Sequence, residues 1–322
     1  MGFKLKNPII AGSTGLSMSV ENLKSLEKHG AAAVVLKSLF EEQIMHEVNK
    51  ALAGTDNKDI SYYPEAEDYI RHYTKEKDLN DYLRLIENGN KSISIPLIAS
   101  INCFSASEWT TFAKKIESAG ADGLELNIFI LPSDTNREPS QNEQVYFDVV
   151  TEVLKQVSIP IALKISYYFS GLAKTALKLS WTGISGMVLF NRFFSPDIDI
   201  NKFIVTPSHV FSTKDEIYTT LRWIAMLSNR LHCDIAGSTG VHDGEGAVKL
   251  LLAGAKAVQI ATILYKNGFE TIGEMIRFIE QWMNKHDFKT TEEFIGKLSM
   301  KSTENPAAYE RVQFMKHFAG IY

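Results

Sequence analysis

Four polar residues stand where apolar stretches should end in Val or Ile. Lys37 closes the run Ala32–Lys37, Asn127 lies in Gly123–Phe129, Lys164 lies in Pro160–Ser166, and Asn191 closes Gly186–Asn191. Burying an unpaired amine costs on the order of several kcal/mol, so a purely structural strand would rarely place lysine there. Any one of the four could simply reach solvent at a rim. Two lysines and two asparagines from four strands argue instead for a shared site. Two positive charges there suit an anionic ligand, or a ring that becomes anionic. A second signal comes late in the chain, in Gly237-Ser238-Thr239-Gly240 and Ala261-Thr262. Small residues let backbone N–H groups approach a ligand, and a following helix start favours an anion such as phosphate. A tight turn that needs glycine is the plainer account of the first segment.

The elements that must position these groups follow from pattern. Eight short runs are nearly continuous in apolar residues: Pro8–Ala11, Ala32–Lys37, Pro96–Ile101, Gly123–Phe129, Pro160–Ser166, Gly186–Asn191, Cys233–Thr239 and Ala257–Thr262. Such runs suit parallel strands covered on both faces. Helical patterns fall between them, at Ser19–His29, from Ser105 to about Ser118, and at Asn142–Gln156, Gly171–Leu179, Thr213–Asn229, Gly244–Leu252 and Ile272–Lys285. Ser105 and Glu108 have capping-box spacing. This alternation predicts an α/β fold, the (β/α)₈ TIM barrel, with an open doubly wound sheet as runner-up. Catalytic groups of such barrels come from strand C-termini, and phosphate sites commonly follow strands seven and eight.

One domain over residues 1–322 is expected, with two departures from the minimal unit and a tail. Residues 39–95 read as an excursion over the mouth, with a helical stretch near Leu79–Ile86. Residues 192–212, a long connection with Ser-Pro and Thr-Pro steps, read as a functional lid or a disordered loop. The tail, 286–322, reads as one or two helices packed outside the barrel.

Bulk properties exclude several classes. The 322 residues carry 34 basic and 38 acidic side chains, a net charge of -4, and no basic stripe, so no nucleic-acid partner is expected. Hydrophobic residues make up 45%, but no apolar stretch is long enough for a membrane span, and the start resembles no signal peptide. The two cysteines, Cys103 and Cys233, have neither metal-ligand nor disulfide spacing, so no metal and a reducing, cytoplasmic compartment are expected. A homodimer is the assembly considered.

Several segments match one known pattern in order and spacing. These are Asn7-Pro8-Ile9-Ile10-Ala11-Gly12-Ser13-Thr14-Gly15, Lys37-Ser38, Ser100-Ile101-Asn102, Glu125-Leu126-Asn127, Lys164, Asn191, Gly237-Ser238-Thr239-Gly240, Ala261-Thr262 and Gly296-Lys297-Leu298. At these residues the chain resembles the dihydroorotate dehydrogenase family, closest to its soluble class. The resemblance covers nearly the whole chain. It implies FMN at the barrel mouth, held by Gly12, Ser13, Lys37, Ser38, Ser100, Asn127, Lys164 and Asn191, with phosphate on Gly237, Ser238, Thr239, Gly240, Ala261 and Thr262. It implies that Lys164 meets the ring edge that becomes anionic. Lys37, Asn127 and Asn191 would contact ring or substrate, a small anionic CH–CH compound of pyrimidine metabolism.

The departures bear on chemistry. The family's strand-four loop supplies a Cys or Ser that takes a proton, whereas Ile128-Phe129-Ile130-Leu131-Pro132 follows Asn127 here. Ser133, Asp134 and Cys103 are the candidate replacements. Tyr62, Tyr63, Tyr167 and Tyr168 suit aromatic packing of a lid better, and His209 and His242 suit surface positions better. The expected chemistry is therefore a flavin-dependent dehydrogenase with its usual base missing. Alternatives are a flavin-free phosphate-binding lyase or isomerase with Lys164 as a Schiff base, and a flavin-binding protein without catalysis. A flavin-dependent tRNA reductase fits the acidic balance poorly.

Overall fold

The computed structural model describes residues 1–40, 79–102, 106–192 and 195–310. Its strands are β1 (Ile9–Ala11), β2 (Ala33–Val35), β3 (Leu39–Phe40), β4 (Leu97–Asn102), β5 (Gly123–Asn127), β6 (Ile161–Ile165), β7 (Gly186–Leu189), β8 (Pro196–Asp199), β9 (Ile204–Pro207), β10 (Asp234–Gly237) and β11 (Ala257–Ile260). Eight of them close a parallel barrel in the order β1, β2, β4, β5, β6, β7, β10, β11, with β11 returning to β1. The short β3 extends the second strand and pairs with the end of β4, Leu39 opposite Ile101. This is the (β/α)₈ barrel that the eight apolar runs predict, not an open sheet.

The helices are α1 (Val20–Lys28), α2 (Leu79–Asn90), α3 (Ala106–Ser118), α4 (Pro139–Leu154), α5 (Leu172–Ser180), α6 (Ile217–Leu227), α7 (Gly244–Ala253), α8 (Thr262–Asn267), α9 (Glu270–Lys285) and α10 (Ala307–Glu310). Ser19 opens α1 by accepting from the Asn22 N–H at 3.2 Å, and Leu23 and Leu26 then face the strands. Helix α4 starts earlier than its apolar pattern suggests, because Pro139 fits the first turn and Gln141 accepts from the Glu138 N–H at 2.8 Å. Among the described residues no helix is long and apolar enough to cross a membrane.

Two apolar layers hold the barrel. The larger lies between strands and helices and includes Leu124, Leu126, Leu163 and Leu189. The smaller lies inside the barrel at its N-terminal end, where Ile10, Ala33, Val35, Ile98 and Ala257 meet Met1, Phe3 and Leu5. A cavity of about 810 Å³ adjoins this plug and reaches up to Glu125 and Gln259. Strand side chains alternate in direction. Inward positions therefore run from apolar at the bottom to polar at the top.

The connection 192–212 is more ordered than a plain lid. β8 and β9 form an antiparallel hairpin with Ile198 opposite Val205. Arg192 ties its base, donating to Glu216 Oε2 at 2.8 Å and to the carbonyls of His209 and Val210 at 2.9 Å each. The described part of the tail, 286–310, is tied to the barrel by backbone bonds as well as by side-chain packing. Gly296 N–H meets Leu251 O, Leu298 N–H meets Leu252 O, and Met300 N–H meets Ala225 O. Tyr62, Tyr63, Cys103 and the Ser105 cap lie outside the described residues.

Candidate active site

The mouth is walled on one side by hydroxyls. Ser13 ends the turn after β1, and its Oγ accepts from the Ser38 N–H at 2.9 Å. Ser38 Oγ lies 2.7 Å from Ser100 Oγ, and Asn127 Nδ2 donates to Ser38 Oγ at 3.4 Å. Below them the Tyr82 hydroxyl bridges the backbone of Ser100, donating to its C=O at 3.1 Å and accepting its N–H at 3.0 Å. Burial pushes the Tyr82 phenol far up, so it stays neutral. Two acceptors remain: Asn127 Oδ1 and Asn102 Oδ1 are buried and lack a hydrogen-bond partner among the described residues. Orphaned carbonyls at strand ends are costly unless a ligand supplies N–H or O–H groups.

On β6, next to the strand that carries Asn127, Lys164 is 7% exposed and held by two partners that sequence reading missed in this role. Its Nζ donates to Gln259 Oε1 at 3.1 Å and stands 3.5 Å from Glu125 Oε1. Gln259 Nε2 in turn donates to Glu125 Oε2 at 2.6 Å. A buried lysine needs such pairing. Lysine has three donors, and the described residues take one of them in a hydrogen bond, so donors remain for the mouth.

The loops after β10 and β11 form the third wall. Gly237 makes room on the helix side, where an added Cβ would stand 2.6 Å from Leu250 Cδ1. Thr239 has φ 74 and donates from Oγ1 to Phe190 O at 3.0 Å. Gly240 has φ 76, and a Cβ there would fall 2.2 Å from Ile217 N. Asp243 caps α7 through the Gly246 N–H at 2.8 Å. The Thr262 hydroxyl accepts from Ser212 N at 3.2 Å and Ser212 Oγ at 3.0 Å, leaving its own proton available to a ligand. Ser212 Oγ also lies 3.0 Å from His242 Nε2. Burial, then Lys266 and Lys214, pull the His242 imidazole below its ordinary value. A neutral His242 donating to Ser212 completes the chain.

The remaining candidates are less engaged. Lys37 is half-buried beside the serines, and Asn191 N–H bonds to Ile165 O at 2.8 Å. Phe129 packs edge-on to Tyr168 with centroids 6.1 Å apart. Ser133 and Asp134 are exposed, and Asp134 turns back to Asn136 N–H at 2.9 Å. The hydrogen bond with Tyr168, then burial, pushes the Tyr167 phenol up, away from use as a base at neutral pH.

A family model for dihydroorotate dehydrogenase matches residues 1–283. The chain belongs to the dihydroorotate dehydrogenase family. Relatives agree at modest identity. The dihydroorotate dehydrogenase B (NAD(+)) catalytic subunit of Thermoplasma volcanium is 28% identical over 92% of this chain and 95% of its own length. That of Pyrococcus abyssi is 26% identical over 92% and 96%. A putative dihydroorotate dehydrogenase A (fumarate) of Aeropyrum pernix is 28% identical over 63% of this chain and 67% of its own. Membership makes the chain a dihydroorotate dehydrogenase-like oxidoreductase of a flavin-dependent family. The mouth suits a flavin, since Asn102 and Asn127 offer unpaired acceptors, Lys164 offers a donor, and Thr262 offers a hydroxyl proton.

Proposed function

We propose that the chain binds FMN at the barrel mouth and oxidises a small anionic CH–CH substrate of the dihydroorotate kind, with weakened proton chemistry. The observation that carries this reading is the buried Lys164 ammonium beside two unpaired asparagine carbonyls. Gly12, Ser13, Ser38, Ser100, Asn127, Lys164 and Asn191 would hold the ring. Gly237, Ser238, Thr239, Gly240, Ala261 and Thr262 would hold the phosphate. When bound, the flavin supplies the hydride acceptor. Lys164 stabilises negative charge that develops at the mouth, where low dielectric strengthens its effect. Lys37 attracts the substrate anion, while Asn127 and Asn191 orient it. Phe129 and Tyr168 exclude water.

The weak part is the proton acceptor. Residues 128–132 are apolar, and Ser133 and Asp134 are exposed beyond them. We further propose a cytoplasmic setting, in keeping with low cysteine use. The assembly proposed is a homodimer that covers Ile198, Ile200 and Phe203 on the hairpin, exposed at 65%, 76% and 89%.

Purification followed by an absorption spectrum tests the reading. The expected result is a yellow protein with about one FMN per chain and a band near roughly 450 nm. A colourless protein that fails to take up added FMN overturns it. Light scattering reads the oligomeric state in the same preparation.

A further inference from the structure

The hydride reading leaves a buried carboxylate and a buried amide unused. Glu125 is 1% exposed and Gln259 5%. The amide has one orientation, because lysine only donates and a carboxylate only accepts. Its Oε1 accepts a hydrogen bond from Lys164 Nζ at 3.1 Å, and its Nε2 donates to Glu125 at 2.6 Å. Glu125 Oε1 stands 3.5 Å from Nζ and has no hydrogen bond among the described residues. An ammonium and a carboxylate alone in an apolar interior would close to about 2.8 Å. Here they do not.

Register explains the geometry. Asn127 pairs with Lys164, and Glu125 lies two residues nearer the N-terminal end of β5. The carboxylate therefore pulls the amine down the barrel, toward the cavity that both Glu125 and Gln259 line. Gln259 stands one residue from the end of β11, as Lys164 does on β6, and its amide holds the amine short of that contact.

We propose that Gln259 is a positioning residue that keeps the Lys164 ammonium toward the mouth against the pull of Glu125. It thereby sets how much of that charge a bound flavin meets. The inference rests on the FMN reading above. Without Gln259 the amine falls back onto Glu125, its charge is more fully neutralised, and a reduced, anionic ring loses stabilisation.

The test measures the reduction potential of bound FMN by dye equilibration in the wild type, Gln259→Met, Lys164→Met and the double variant. Gln259→Met keeps the volume and removes both hydrogen bonds. It should lower the potential and weaken binding of reduced flavin relative to oxidised flavin by roughly tenfold, the low end for residues that orient a ligand from behind. In the Lys164→Met background the same change should have no effect on the potential. If Gln259→Met does not fold by circular dichroism, Gln259→Asn serves, since its shorter amide cannot span both partners. An unchanged potential in a Gln259 variant that binds FMN overturns the positioning role, and so does an equal fall without Lys164. A wild-type chain that takes up no FMN overturns the flavin reading, and the inference with it.

Discussion

Lys164 and the segment after Asn127 lie side by side, since the Ile128 N–H bonds to Lys164 O at 3.0 Å. Their surroundings differ in kind. Lys164 sits among buried polar side chains that bond to one another. The neighbouring loop runs from buried Ile128 to exposed Leu131, Pro132, Ser133 and Asp134, and the Asp134 carboxylate bonds to its own loop. One region is built to hold charge still. The other turns its hydroxyl and carboxylate, Ser133 and Asp134, toward solvent. In the proposed reading, binding and proton transfer rest on separate parts of the mouth, and one can change while the other stays.

The sharpest way to break this contrast is kinetic. If the loop lacks a base, anaerobic flavin reduction by dihydroorotate should be slower than in a family member with Cys or Ser by roughly 10²–10⁴. Stopped-flow bleaching reads the rate, and Ile130→Cys, with Phe129→Cys and Leu131→Cys beside it, should raise it. Rapid bleaching of the unmodified protein would mean that Ser133, Asp134, Cys103 or a tyrosine serves as base.

The next effect belongs to the locked side. Lys164→Ala leaves Glu125 buried without its cation, which should cost about 3–5 kcal/mol of stability and most of the bound flavin. Denaturant unfolding and flavin content measure the two losses. Full flavin content with unchanged stability would show that the buried network is not what holds this half together.

Smaller effects map the wall formed by the loop after β10. Gly240→Ala forces a Cβ against Ile217 N at a backbone φ of 76, so a loss of about 1–3 kcal/mol is expected in urea unfolding. Asp243→Ala should cost about 1 kcal/mol at neutral pH, the usual worth of a helix cap. Burial alone would raise the Asp243 carboxyl, but the hydrogen bonds from Lys214 and Gly246 N–H, with the Lys214 and Lys249 charges, hold it below its ordinary value. A depressed carboxyl stabilises the fold above the ordinary carboxylate range and loses that contribution as pH falls through its folded value. The penalty of Asp243→Ala should therefore shrink in acid, and an equal penalty below roughly pH 3 would contradict the cap's charge role.

The barrel was legible because its strands are buried on both faces and so read as unbroken apolar runs. Lys164 and Asn127 stood out because polar side chains rarely close such runs. Gln259 did not, although it interrupts Ala257-Val258-Gln259-Ile260 at an inward position two residues after Ala257, and that parity was its available signal. Glu125 was noticed only as part of a motif, since pairing across a barrel depends on register and shear that local pattern does not carry. The hairpin was missed for a simpler reason. Its Ser-Pro and Thr-Pro steps read as loop, while the strand-forming Ile198, Ile204 and Val205 were not weighed against them.

One anchoring arrangement bears on how much change in length the fold tolerates. The chain leaves the barrel at Phe40, paired with Asn102 of β4, and returns through α2, whose Tyr82 bonds the backbone of Ser100 on the same strand. Both ends of that stretch are fastened to a single strand, so lengthening or replacing it leaves the register of the other seven undisturbed. Loop-closure entropy is forgiving, at about 0.6 kcal/mol for each doubling of length. Changes in chain length between Phe40 and Leu79 should therefore disturb the barrel little.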